Sequence, residues 1–368
     1  MEYTYDNFII PEALNRLVDA YNSQGFKIYL VGGAVRDIIL GDTPADYDLV
    51  TDATPEQTIN ILQSLNCKIH RQGERFGVIG SSIDKIKIEI TTFRKDLYTT
   101  HERLSEVEFN VPIEEDALRR DIPYNAMYYD IRGKKLFDYV NGIDDMKNKI
   151  TRLIRDPVLR ISEDKLRVLR VLRYACKYKH VIEENTVNAI KNSDLNGISK
   201  ERIYSEITLA FNNGNFDVYL NYLKEFNLFQ HVLPDLNVDY DRFIGSKHLI
   251  IYLAYILRNN DDIEPKLEAL KYDRRTINVI KFLLELVVFD PLKIVKYLKN
   301  KRQLDLDNET ILNEWINTMN LGEQQQKFTT YKSIITQEVV NKLMREGLSG
   351  KELAKKINEI EYNQFVRD

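Results

Sequence analysis

The sequence is poor in the residues that mark several common kinds of protein. It has two cysteines, Cys67 and Cys176, in 368 residues. They stand far apart without metal-ligand spacing, which excludes a disulfide framework or zinc centre and fits a reducing cytoplasm. The five histidines are scattered, and none pairs with a cysteine or another histidine at ligand distance along the chain. With no long apolar run and no N-terminal hydrophobic region, neither a membrane span nor secretion is expected. A net charge of −4 provides no global basic field, so any nucleic-acid partner must be held by local patches. What remains is ordinary globular material, 43% hydrophobic and 29% charged, long enough for two or three domains each with its own core.

Against that background the stretch Tyr29–Pro55, YLVGGAVRDIILGDTPADYDLVTDATP, stands out. A short apolar strand ends in Gly32-Gly33, a helical pattern carries Arg36 and Asp37, and a second strand presents Asp46 and Asp48. Residues two apart in a strand project from one face roughly 7 Å apart. Two carboxylates so placed repel unless a cation sits between them, and divalent metal bridged by phosphate oxygens is the usual solution in nucleotidyl transfer. The glycines let backbone approach an anion, with the next helix N-terminus aimed at it. Taken singly, Gly-Gly is more often a tight turn and Asp-x-Asp a solvated edge; their ordered combination points to a nucleoside triphosphate clamp facing a metal site.

The first 145 residues or so alternate elements. A helix is expected over Pro11–Asn22, and strands over Lys27–Val31, Asp46–Val50, Phe76–Ser81 and Lys85–Thr92. A helix over Pro55–Leu65 lies between them, and a hairpin is expected around Arg132-Gly133. Lys95–Glu106 has no period and reads as a loop. Beyond about residue 145 the apolar residues recur at three and four, through to Lys351–Ile360, with no internal repeat. The expected fold is therefore α+β: a small mixed-sheet head (1–145) followed by helices, divided as a neck (146–212) and a body and tail (213–368).

Three further groups carry chemistry. Glu89, on the polar face of its strand, is a candidate third carboxylate; a solvated strand residue is the plain alternative. The run Glu115-Asp116-Ala117-Leu118-Arg119-Arg120-Asp121, followed by Asn125, offers Arg119 or Arg120 to triphosphate oxygens and Asp121 or Asn125 to a ribose, against a surface ion-pair cluster. A helix is expected to open at Ser162 as N-cap, with Arg167, Arg170, Arg173 and Lys177 as a basic stripe. On such a helix Asp164 and Arg167 share a face and set an acceptor beside a donor. That pair matches the Watson–Crick edges of cytosine and adenine, whereas guanine and uracil present the inverted pattern. It could select C and A without a nucleic-acid template.

These residues resemble the class II tRNA nucleotidyltransferases, which add the terminal CCA to tRNA, and the related bacterial poly(A) polymerases. The resemblance rests on LVGGAVRD (Leu30–Asp37), ADYDLVTDATP (Ala45–Pro55), EITTFR (Glu89–Arg94), EEDALRRD with Asn125-Ala126, RDPVLRISEDKLRVLRVLRYA (Arg155–Ala175) and SKERIYSEI (Ser199–Ile207), in that order. It implies a polymerase-beta-like head with Asp46 and Asp48 on two Mg²⁺ ions, and Gly32, Gly33 and Arg36 on the triphosphate of CTP or ATP. Arg120 and Asp121 fall in the ribose motif, while Arg120 on the triphosphate and Asn125 on the ribose are readings of the residues themselves. Glu163, Asp164 and Arg167 match the base-reading EDxxR motif, while Arg160 and Arg170 position phosphate or base.

The implied partner is the tRNA 3′ end, with no membrane and no protein partner inferable; Lys293, Lys296, Lys299, Lys301 and Arg302 are a candidate RNA contact. An enzyme adding only CC or only A, a poly(A) polymerase, and a catalytically silent tRNA-binding protein are the alternatives. The chain departs from the family in Ile122-Pro123-Tyr124 after the RRD motif, where Phe-Thr-Ile is usual. It departs again in His101-Glu102-Arg103-Leu104-Ser105, where GRRP is usual, and in Ile161 after Arg160, where Phe is usual.

Overall fold

The computed structural model describes residues 1–5, 8–97, 106–288, 309–322, 327 and 333–367. They form two compact units, Met1–Asn196 and Gly197–Asp368, so the segment read as a neck contributes to both. The loop 101–105 and the basic residues Lys293, Lys296, Lys299, Lys301 and Arg302 lie outside the described residues.

The first unit is built on one mixed sheet. Its strands are β1 (Glu2–Thr4), β2 (Ile28–Val31), β3 (Tyr47–Thr51), β4 (Lys68–Gly73), β5 (Val78–Ile83) and β6 (Ile86–Thr92). A separate ladder joins β7 (Arg94–Leu97) to β8 (Glu106–Phe109), and β9 (Met127–Asp130) and β10 (Lys135–Asp138) return to the main sheet. The main order is β1-β10-β9-β2-β3-β6-β5-β4. Every neighbour is antiparallel except β3 and β6, which run parallel with Asp48 opposite Glu89. Alternation decides which face is buried: Ile88 and Ile90 are inside while Lys87 and Glu89 are exposed.

Helices α1 (Glu12–Ser23) and α3 (Pro55–Ser64) cover the sheet face carrying Leu30, Leu49 and Ile79. A capping box starts α3: the Thr54 hydroxyl accepts from the Gln57 N–H, and the Gln57 side chain accepts from the Thr54 N–H. The short α2 (Gly33–Ile39) leaves β2 directly, and α4 (Ile113–Arg119) packs on β7. Val31, Val50 and Tyr128 of the opposite sheet face form a core with Phe93, Ala117 and Ala126. After α5 (Gly142–Lys147), a two-residue parallel ladder joins β11 (Ile150–Thr151) to β12 (Val181–Ile182). It brackets α6 (Pro157–Glu163) and α7 (Arg167–Tyr178), and α8 (Glu184–Lys191) packs on α6.

Two expectations are corrected here. Lys95–Glu106 is not all loop, because its ends pair as β7 and β8. The helix expected to open at Ser162 is two helices with a break at Asp164. Ser162 lies inside α6 and its hydroxyl donates to the Leu159 carbonyl. At Asp164 the backbone is extended (φ −149°, ψ 102°), and Oδ1 accepts from the Leu166 N–H at 3.1 Å. A local carboxylate–backbone bond of this kind competes with the helical ladder. Asp164 and Arg167 therefore flank a break and do not share one helix face. Of the basic stripe, Arg167 and Arg173 are buried.

The second unit is helical: α9 (Lys200–Asn212), α10 (Phe216–Glu225), α11 (Phe229–Val232), α12 (Leu249–Ile256), α13 (Ile263–Ala269), α14 (Arg274–Val288), α15 (Glu309–Met319), α16 (Gln337–Arg345) and α17 (Gly350–Arg367). Trp315, the chain's one tryptophan, is fully buried and donates to the Leu283 carbonyl at 2.8 Å. Asp217 pins the segment after α11 by accepting from Tyr252 Oη at 2.6 Å and from the N–H groups of Ile244 and Gly245 at 2.7 and 2.9 Å. Among the described residues no helix is long and apolar enough to cross a membrane.

Candidate active site

The carboxylate corner lies where β2, β3 and β6 run side by side. Asp48 faces the same side of the sheet as Val31 and Glu89, its register partners, and Asp46 is exposed just before β3 begins. Burial pushes the Asp48 carboxyl up to about 6, the negative charges of Glu89 and Asp46 add to the rise, and Arg120 opposes it. Carboxylates crowded in this way suit a hard divalent cation with all-oxygen ligands. Among the described residues no three His, Cys, Asp or Glu side chains gather into a complete metal site. A divalent metal held by Asp46 and Asp48 would need further oxygen ligands beside these two carboxylates. Glu89 acts on Asp48 as a charge neighbour across the ladder.

Gly32 makes the corner possible. Its backbone (φ 74°, ψ −138°) is open only to glycine, and a Cβ there would stand 3.2 Å from Asp48 Oδ2. Gly32→Ala is expected to cost about 1–3 kcal/mol in strain and to displace the Asp48 carboxylate. Thermal unfolding and incorporation assays together should show both losses, and incorporation within twofold of the parent would contradict this placement.

Arg36, expected on the triphosphate, points inward and is 4% exposed. Its Nε and Nη2 donate to Asp37 Oδ1 at 2.9 and 2.7 Å, and Nη1 donates to the Asn125 side-chain oxygen. The guanidinium carbon lies 4.8 Å from the ring centre of Tyr178 and 5.8 Å from that of Tyr174. Asn125, expected on the ribose, closes a short 3₁₀ turn begun by Pro123. The departure from the family at Ile122-Pro123-Tyr124 thus has a structural use. Pro123 starts the turn that presents Asn125 to Arg36, and Tyr124 is buried with its edge against Tyr174 and Tyr178.

The RRD segment begins a buried ionic relay. Asp116, fully buried, accepts from Arg119 at 2.7 Å, Arg120 at 3.1 Å and Tyr128 Oη at 2.8 Å. Burial alone would raise its pKa, but Arg119, Arg120 and the Tyr128 bond bring it down to about 2. Arg160, 1% exposed, reaches from α6 to the carbonyls of Arg119 and Arg120 and pairs with Glu163. Glu163 also takes Arg167 Nη1 at 2.8 Å. The relay ends at Asp121, expected on the ribose, whose two oxygens accept from Arg167 Nε at 2.7 Å and Arg170 Nη1 at 2.6 Å. Burial opposes ionisation of Asp121, yet Arg170 and Arg167 hold its carboxyl well below the usual range.

Of the candidate residues, Asp46, Asp48, Glu89, Gly32 and Arg120 bear on one corner, and Glu163, Arg167, Arg160, Arg170 and Asp121 form one relay. Asp164 stands at the helix break beside Arg167. Asp116, Tyr128, Tyr174 and Tyr178 carry no assignment from the sequence. The spacing of Asp116 to Arg119 and Arg120, three and four along a helix, was the signal that could have found the first. The tyrosines carried none.

Residues 28–152 match the family described as "Poly A polymerase head domain", and residues 181–239 match "Probable RNA and SrmB-binding site of polymerase A". The mitochondrial CCA tRNA nucleotidyltransferase 1 of Danio rerio is 31% identical over 294 residues, covering 75% of this chain and 67% of that protein. Poly(A) polymerase I of Salmonella typhi is 33% identical over 267 residues, covering 69% of this chain and 56% of its own length. The fold is similar to that of the Bacillus stearothermophilus CCA-adding enzyme in complex with CTP, with a TM-score of 0.73 at 20% identity over 98% of both chains. It also resembles the Thermotoga maritima CCA-adding enzyme complexed with tRNA, with a TM-score of 0.67 at 18% identity over 100% of this chain and 96% of that one.

Proposed function

The chain belongs to the family of CCA tRNA nucleotidyltransferases and bacterial poly(A) polymerases, and on that premise we propose that it adds C and A to the 3′ end of tRNA without a nucleic-acid template, releasing pyrophosphate. The observation that carries this reading is the relay from Arg120, beside the Asp48 corner, to Arg167 at the helix break. In this reading it would join phosphate-end chemistry to base reading in one buried assembly.

Asp46 and Asp48 would hold the divalent metal, Mg²⁺ in this reading, which supplies charge neutralisation for attack by the primer 3′-hydroxyl and departure of pyrophosphate. The Gly32-Gly33 backbone and Arg120 bind the triphosphate. Asp164 and Arg167 present acceptor and donor to the base, with Arg167 held in orientation by Glu163 and Asp121. Asp121, with both oxygens on arginines, serves as their holder. The helical second unit takes the tRNA backbone, so binding should weaken as salt rises. A cytoplasmic setting belongs to the same proposal and rests on two cysteines that form no disulfide.

The test is a product ladder on tRNA lacking its CCA end, with nucleotides supplied singly and in pairs. CTP alone should add two residues, and CTP with ATP a third. Long A tails from ATP alone would favour the poly(A) polymerase reading, to which the 33% identity with the Salmonella protein lends weight. A ladder halting after CC, or starting only from a CC end, would identify a partial enzyme. No metal-dependent incorporation at all would leave a tRNA-binding protein. Within this scheme Asp164→Ala or Arg167→Ala should cut the preference for C and A over G and U by about ten- to a hundredfold. Undiminished selectivity in both variants would remove the base-reading assignment.

A further inference from the structure

We propose that Tyr178 is a positioning residue: it clasps Arg36 so that the phosphate turn at Gly32-Gly33 is held at a fixed spacing from the base-reading start of α7, and it thereby sets nucleotide selectivity. The inference rests on the base-reading role proposed above and adds a second, non-ionic connection to the relay.

Three elements meet at one guanidinium. Arg36 stands on α2, and a Cβ on Gly33 would lie 3.3 Å from Arg36 Nη2, so the guanidinium directly backs the phosphate turn. Asn125 comes from the 3₁₀ turn before β9. Tyr174 and Tyr178 stand on α7, the helix that Arg167 opens. Tyr178 engages the clasp by its ring face on Arg36 at 4.8 Å, its hydroxyl donating only a long bond to Asp37 Oδ1 at 3.4 Å. Its ring also stacks on Tyr174 with centroids 6.4 Å apart at an interplanar angle of 9°, and Tyr124 closes the edge. An arginine committed to Asp37, Asn125 and two aromatic faces is a tie between elements.

Selectivity is where the tie should matter. A wrong base is refused because acceptor meets acceptor while the triphosphate is seated at the carboxylate corner. If the two ends of the site are free to shift apart, the wrong base can retreat from the mismatch with its triphosphate still in place. Loosening the tie therefore lowers discrimination more than it lowers the turnover of the right nucleotide.

The experiment compares Tyr178→Phe, Tyr178→Leu and Arg36→Lys in the full chain with the parent. Hydrogen exchange is measured over residues 33–39 without nucleotide, and kcat and KM are measured with each of the four nucleotides. Phenylalanine keeps the ring face and should retain the parent's exchange rate and selectivity within about twofold. Leucine, and lysine at position 36, should speed exchange in α2 and lower the kcat/KM ratio of CTP over UTP about tenfold or more, mainly through KM. If Tyr178→Leu does not fold, Arg36→Lys alone decides between the outcomes. Unchanged exchange in α2 overturns the clasp whatever the enzyme incorporates, and so does a phenylalanine variant as impaired as the leucine one. A parent that shows no preference for C and A overturns the base-reading role instead, and the exchange result still decides the clasp.

Discussion

Asp48→Asn is expected to abolish nucleotide incorporation, by on the order of 10³-fold or more, without weakening the fold. The carboxylate sits half-buried beside Glu89 and Asp46, and burial together with those charges raises its pKa to about 6. At neutral pH in metal-free buffer its ionisation therefore works against folding. A neutral amide of the same shape relieves that repulsion and should leave the unfolding free energy unchanged or raise it, by on the order of 1–2 kcal/mol once solvent screening is allowed for. Added Mg²⁺ should raise the melting temperature of the parent and not of the variant, since a ligand bound by the folded state alone stabilises it. Incorporation within tenfold of the parent would remove Asp48 from the metal site.

Asp121→Ala should have the largest effect on stability. Its two oxygens balance Arg167 and Arg170, and Arg167 is 3% exposed. Removing one member of a buried ion cluster leaves its partners with less compensation, even though Arg167 keeps Glu163, and costs about 3–5 kcal/mol. Both depressed carboxylates in the relay give the protein an acid limit with a definite sign. Asp116 falls from 3.8 to about 2, so its contribution is present above pH 3.8 and is lost as pH falls through about 2. Asp121, also depressed, adds to the loss in the same direction. Acid denaturation of the parent should steepen in that range, and Asp121→Ala should flatten it. Discrimination between ribo- and deoxyribonucleotides separates two roles for this residue. A ribose contact would lose that discrimination on substitution, whereas an arginine holder keeps it and loses base selectivity.

The elements of the head were largely legible because period and turn chemistry agree there. The Ile86–Thr92 alternation, the Arg132-Gly133 hairpin and the proline-led helix at Pro55 each combine two independent local signals. What escaped was tertiary. β4 is mostly exposed and polar, and only its pairing with β5 makes it a strand. The break at Asp164 interrupts a three-and-four pattern that continues unbroken in the sequence, because one carboxylate bonds its own backbone. In the site, the chemistry of Asp46 and Asp48 could be read from spacing. The inward turn of Arg36 and Asp121 could not, since an arginine on a triphosphate and an arginine between tyrosines look the same in one dimension. Charge pattern alone left a solvated stripe and a functional one equally open; Arg167 and Arg173 are both buried, and Arg167 is held by Asp121, far away along the chain.

The single parallel pairing in the sheet has a kinetic consequence. Asp48 and Glu89 are neighbours across a pairing that spans the intervening α3, β4 and β5. A pairing that closes so long a stretch of chain is among the slower steps of assembly, and a one-residue slip would turn Glu89 to the opposite face. The carboxylate corner therefore matures only once this long-range pairing has formed in register. During refolding, helical signal should return first and incorporation should follow only with the slowest phase, so that partly assembled molecules are silent and do not add wrong nucleotides to RNA.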